Sequence, residues 1–202
     1  MRKITFDIET KNFFHDVGSN DPTALDISVV CIHDSLDNQY KSFLEKDFAN
    51  LWPILEKADI LITWNGDHFD IPILNKYYSG DLTKITSIDL MREVRNVIGR
   101  RLKLDIVAEA TLGKKKSADG VLAVEWWRKG EIDKVIKYCI EDVKITKELY
   151  DFAISNNMLK YKDYGTNGIL RDNTKNNIQE IKLNTSNWET KKDSAMTFTL
   201  PF

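Results

Sequence analysis

Lys3-Ile4-Thr5-Phe6-Asp7-Ile8-Glu9-Thr10 is the stretch on which the fold turns. Over Lys3–Ile8 polar and apolar residues alternate, the period of a β-strand whose successive side chains leave on opposite faces. Ile4, Phe6 and Ile8 then face a core, while Asp7 and Glu9 project together from the other side. Two adjacent carboxylates inside a fold repel each other and are costly to bury unpaired. Divalent cations relieve that cost. A solvated strand edge or salt-bridge partners would explain the pair as well.

Working outward, Leu25–His33 is apolar and β-branched, a second strand with a buried centre. Asp37-Asn38 marks a turn, and Gln39–Leu44 is expected to return as the third strand of a hairpin. Asp47–Lys57 carries Phe48, Leu51, Trp52 and Leu55 at helical spacing, with Pro53 set against one unbroken helix. Asp59–Trp64 reads as a fourth strand ending at the turn signal Asn65-Gly66, and Thr86–Leu90 as a short fifth. Helical patterns start at Asp70, with Pro72 in the first turn, and recur over Leu102–Leu112, Val121–Lys129 and Glu131–Asn156. Hairpin strands followed by strand–helix alternation predict an α/β layer fold, a mixed central sheet of about five strands flanked by helices. The expected domain spans residues 1–156, and 157–202 form a C-terminal extension. There Ile178–Leu183 alternates like a strand, preceded by Gly168-Ile169-Leu170, which predicts a hairpin ending near Trp188 and a loose tail over Glu189–Phe202.

Composition narrows the class. A chain of 202 residues with 42% hydrophobic and 30% charged content is long enough to bury a core in one domain. A net charge of −2 gives no global basic field, although carboxylates gathered in a site would mask basic patches elsewhere. Cys31 and Cys139 form no CxxC pair, and His15, His33 and His68 are scattered, which argues against zinc. Two reduced thiols, a strand-like start in place of a leader, and apolar runs too short to span a bilayer lead to the expectation of a soluble cytoplasmic protein with no membrane role.

Two further segments hold candidate chemistry. Asp70 closes Asn65-Gly66-Asp67-His68-Phe69-Asp70 where turn meets helix, a position that suits a helix cap as well as a ligand. Tyr138 and Asp142, four apart in Tyr138-Cys139-Ile140-Glu141-Asp142, stack on one helix face. Tyr138 alone would pass for core. Asp142, beside Val135, Cys139 and Val143, needs a partner, whereas Glu141 points elsewhere.

Taken in order, these three segments resemble the DEDD superfamily of 3′–5′ exonucleases, in the branch with tyrosine in its third motif. Leu102–Glu109 with Leu112-Gly113 and Lys116 is similar to the region between the second and third motifs in proofreading domains of B-family DNA polymerases. The resemblance covers roughly residues 1–155 and is closest to free-standing ribonuclease-H-like exonucleases. It implies a two-metal site for Mg2+ or Mn2+ held by Asp7, Glu9, Asp70 and Asp142, with Asp7 bridging both ions and Tyr138 orienting the attacking water. It also places Thr10, Asn65 and Phe69 beside the last nucleotides.

The basic runs Arg100-Arg101 with Lys103, and Lys114-Lys115-Lys116, are either solvated loops or phosphate contacts. Phe13, Phe14 and Trp64 are candidate base platforms, with core packing the alternative for Trp64; Trp52, Trp126 and Trp127 read as packing. The expected substrate is a single-stranded or frayed 3′ end, DNA before RNA, and no protein partner is named by the sequence. A ribonuclease-H-type endonuclease, or a nucleic-acid-binding module without catalysis, are the competing readings.

Overall fold

The computed structural model describes residues 1–114, 120–163 and 177–190. Its strands are β1 (Lys3–Thr10), β2 (Ile27–Asp34), β3 (Gln39–Phe43), β4 (Ile60–Thr63), β5 (Thr86–Asp89), β6 (Met158–Lys162) and β7 (Ile178–Lys182). Its helices are α1 (Phe14–Val17), α2 (Phe48–Leu55), α3 (Asp70–Asn75), α4 (Leu90–Ile98), α5 (Leu104–Leu112), α6 (Gly120–Arg128) and α7 (Ile132–Asn156). Five strands form a mixed sheet in the order β3-β2-β1-β4-β5. Antiparallel pairing joins β1 to β2 and β2 to β3, and parallel pairing joins β1 to β4 and β4 to β5. This is the mixed α/β sheet expected from the sequence.

The alternation in β1 sorts its side chains as anticipated. Ile4, Phe6 and Ile8 enter an apolar cluster with Leu51 and Leu55 of α2 and Ile71 and Leu74 of α3. On the opposite face, Val29 and Cys31 of β2 pack with Val135, Tyr138, Cys139 and Val143 of α7. β2 is buried on both faces, which is why its sequence is a continuous apolar run. Pro53 lies within α2, which nevertheless runs unbroken; the helix ends two residues later, so the missing amide costs it little of its ladder.

Two elements differ from expectation. The fifth strand yields to α4 without an intervening turn: Asp89 ends β5 and caps α4, whose Leu90, Met91 and Val94 are buried. The hairpin partner of β7 is β6, directly after α7, with Leu159 opposite Ile181; residues 168–170 lie outside the described residues. This hairpin is part of the main core. Leu159, Ile181, Leu183 and Trp188 join Val94, Val107, Leu149 and Tyr150 in one cluster, and Trp188 stacks on Tyr150 at 5.9 Å. Glu189, expected in a loose tail, instead accepts hydrogen bonds from Lys3 Nζ (2.7 Å) and the Tyr150 hydroxyl (2.9 Å); residues 191–202 lie outside the described residues. Among the described residues, no helix is long and apolar enough to cross a membrane.

Candidate active site

β1 and α7 cross with their acidic positions facing each other. Asp7 and Glu9 come from the face of β1 covered by α7, and Asp142 lies one helical turn beyond Tyr138. One carboxylate oxygen from each of Asp7, Glu9 and Asp142 lies within 4.8 Å of the others. The register of β1 against β2 shifts between Glu9 and Thr10, an irregularity of the kind found where a strand re-aims side chains beside a site. Asp142 is 5% exposed and Glu9 9% exposed, so these charges are held largely out of water. An all-oxygen donor set this close suits a hard divalent cation.

Asp70 reaches the same region by another route. Pairing of β1 with β4 stops at Thr5 opposite Ile62, leaving the far half of β1 without a parallel neighbour. The Ile8 N–H donates instead to Asp70 Oδ1, at 3.1 Å. Asp70 therefore bonds across to β1 and is not the N-cap of α3, a position taken by Phe69. Burial, together with the charges of Asp89 and Asp142, pushes the Asp70 carboxyl up to about 7. A cation would counter that shift by favouring the ionised form.

Tyr138 is buried on the inner face of α7, in edge contact with Trp126 at 6.1 Å between centroids. Its hydroxyl faces the start of α6, where a β-carbon on Gly120 would lie 3.9 Å away. Cys139 donates its S–H to the Asp7 carbonyl at 3.4 Å and approaches Asp7 Oδ2 at 3.6 Å. Burial, Cys31 and the anions Asp7 and Glu9 all push this thiol up, so it stays protonated as a donor.

Asp7, Glu9, Tyr138 and Asp142 open into a cleft of about 600 Å3 also lined by Trp64, Asn65, Arg101 and Lys103. Trp64 packs against the core on one side, as its packing alternative expects, and lines the cleft with the other. Asn65 Oδ1 is buried with no hydrogen-bond partner among the described residues. Beside this cleft lies a second pocket of about 440 Å3, which Glu9 and Gly120 also line; its walls include Thr10, Phe13, Phe14, Phe69 and Val121. Thr10 commits its hydroxyl to the Asn12 carbonyl at 3.0 Å, and Phe69 meets Phe14 edge-on.

The basic runs divide. Arg101 and Lys103 face the cleft, whereas Arg100 turns to Asp163 (3.0 Å) and lies over the Tyr161 ring. Lys114 pairs with Glu148 and lines a separate groove on the outer face of α7 together with Glu141. Lys115 and Lys116 lie outside the described residues.

Asp89 and Cys139 carry contacts that the sequence reading assigned to neither. For Cys139 the signal was available: one position after Tyr138, on a helix whose neighbours face a strand of carboxylates. For Asp89 the only cue was an acidic residue at a strand-to-helix junction.

A family model described as RNase H superfamily, RNase_H_2, matches residues 4–154. A DNA polymerase of Pyrococcus glycovorans is 31% identical over 119 residues, covering 45% of this chain and 15% of the polymerase. A DNA polymerase of Thermococcus aggregans is 31% identical over 121 residues, covering 45% of this chain and 7% of that protein. The family B DNA polymerase from the hyperthermophilic archaeon Pyrobaculum calidifontis superposes with a TM-score of 0.58 at 18% identity, over 76% of this chain and 24% of that one. The chain spans less than a quarter of each of these polymerases.

Proposed function

The chain belongs to the RNase H superfamily, and from that footing we propose that it is a metal-dependent 3′–5′ exonuclease acting on single-stranded or frayed DNA ends. The observation that carries this reading is the convergence of Asp7, Glu9 and Asp142 within 4.8 Å, with Tyr138 one turn along the same helix as Asp142. Asp7, Glu9 and Asp142 would hold one Mg2+ or Mn2+, and Asp70 with Asp7 a second. Bound there, the ions would lower the pKa of water and stabilise charge on the phosphate oxygens.

The remaining work falls to the chain's own groups. A free phenol titrates near pH ~10, so Tyr138 acts as a hydrogen-bonding group that orients the attacking water rather than as a base. Backbone groups at Glu9 and Thr10 receive the terminal 3′-hydroxyl, and Asn65, which lines the cleft, lies beside the last nucleotides. Arg101 and Lys103, which also line the cleft, supply positive charge to the phosphates. Trp64, another lining residue, offers a face for an unpaired base. The clustered donors are all carboxylate oxygens, which suit a hard cation such as Mg2+ or Mn2+, and the nearby Cys139 thiol donates to the Asp7 carbonyl.

The test is polarity. With Mn2+, an oligonucleotide blocked at its 5′ end should be degraded, one blocked at its 3′ end should resist, and a circular single strand should survive. Cutting of the circle would replace this reading with an endonuclease.

A further inference from the structure

The segment that carries Asn65 and Asp70 has unusual backbone demands. Asn65 sits at φ +71°, left-handed for a residue with a side chain. Gly66 is pressed so closely on Thr63 that a β-carbon there would lie 2.4 Å from Thr63 Oγ1. Asparagine enters the left-handed region more readily than other residues with side chains, but that alone does not fix where the turn points.

Asp89 bonds to the turn. Its Oδ1 accepts the N–H of Asn65 at 2.8 Å, and its Oδ2 the N–H of Asp67 at 3.2 Å. The same Oδ1 caps α4, accepting from Met91 (3.0 Å) and Arg92 (3.2 Å). One 2%-exposed carboxylate thus joins the turn to the start of a helix. The connection continues toward Asp70: the Asn65 carbonyl accepts from Phe69 N–H at 3.1 Å, and the Gly66 carbonyl from Ile71 N–H at 2.9 Å. A second clamp lies outside it, where Asp67 accepts from Ser87 Oγ and from the Arg92 guanidinium.

We propose that Asp89, resting on the functional reading above, is a positioning residue: it fixes the Asn65–Asp70 turn and thereby sets Asp70 against β1. It touches neither substrate nor metal. The simpler alternative is a helix cap that serves α4 alone.

The substitutions Asp89→Asn and Asp89→Ser separate the two, because Asp, Asn and Ser cap helices about equally well. Asn keeps the acceptor used by Asn65 and α4 and loses only the one that serves Asp67. Ser keeps a capping hydroxyl and is too short to hold the turn. Three readouts apply: amide hydrogen exchange by NMR, Mn2+ affinity by calorimetry, and the single-turnover rate on a 5′-blocked oligonucleotide with its KM.

Exchange should rise at Asp67 alone in the Asn variant and at both Asn65 and Asp67 in the Ser variant. Mn2+ affinity should fall in the same order, by about 10–100-fold for Ser, as for other groups that orient a ligand from behind. The single-turnover rate should fall with it while KM stays near the wild-type value. Should Asp89→Ser fail to fold, the Mn2+ affinity of Asp89→Asn decides. Wild-type Mn2+ affinity in the variants, whatever their amide exchange, would overturn the proposal. Graded exchange and affinity in a protein that hydrolyses no DNA end would refute the exonuclease reading and leave the positioning role standing.

Discussion

Replacing Asp7 by asparagine keeps the shape of the side chain and deletes one charge, so its effect on stability should change sign when metal is added. Asp7, Glu9 and Asp142 hold carboxylate oxygens within 4.8 Å of one another. Two full charges at that distance repel by roughly 3 kcal/mol at an effective dielectric of about 20. Asp7 is partly exposed, so solvent trims this to about 1–2 kcal/mol for the variant's gain in the absence of metal. For a domain of this size each kcal/mol moves Tm by about 2–4 °C, which gives a rise of about 2–8 °C in EDTA. Mn2+ at a hundred times its Kd stabilises the protein that binds it by about 2.7 kcal/mol, or about 5–11 °C. The variant, short of a central ligand, should gain little. The order of the two melting temperatures should therefore invert between EDTA and Mn2+, which paired thermal melts will read directly. A variant that melts lower in EDTA, or an equal Mn2+ shift in both proteins, would refute the reasoning.

Tyr138→Phe preserves the ring packed on Trp126 and removes the hydroxyl; single-turnover hydrolysis should slow by roughly 10²–10⁴-fold, with Mn2+ affinity and Tm nearly unchanged. An unaltered rate would return Tyr138 to the core. Arg101→Ala and Lys103→Ala should each flatten the salt dependence of single-stranded DNA binding by about 0.7 in the log–log slope. Arg100→Ala and Lys114→Ala should leave that slope alone, since their partners are Asp163 and Glu148, and a similar change in all four variants would dismiss the cleft as the phosphate path.

How much of this was legible follows from how local each signal is. Asp7 and Glu9 were readable because a strand puts residues two apart on one face, and Tyr138 with Asp142 because a helix does so at four. Helix α4 has legible signals in Leu90, Met91 and Val94 at helical spacing and in Gly99 at its end, but its start is hidden because Asp89 closes β5 and caps α4 within a single residue. β6 follows α7 after Asn157 alone, so the alternation of Leu159 and Tyr161 against Lys160 and Lys162 has no Gly or Pro before it to mark the end of the helix. The adjacent Arg100 and Arg101 look identical as sequence, and only the position of Asp163 beside Arg100 tells them apart. Asp89 was invisible for a different reason. Its partners in the turn are backbone amides 22 and 24 positions away, and backbone amides leave no trace in residue type.

The contact of Cys139 with Asp7 joins residues 132 positions apart along the chain. At about 5–20 residues per second, synthesis of that interval takes roughly 7–26 s. Throughout it Asp7 and Glu9 are without the third carboxylate of their cluster, because the helix that brings Asp142 has yet to be made. The same face of α7 that delivers Asp142 also delivers Val135 and Val143 onto Val29 and Cys31. Completing the apolar contact and completing the acidic cluster are thus one docking event. On the proposed reading, a half-made chain has nothing with which to cut the nucleic acids around it, and the appearance of Mn2+ binding during refolding would time the arrival of α7.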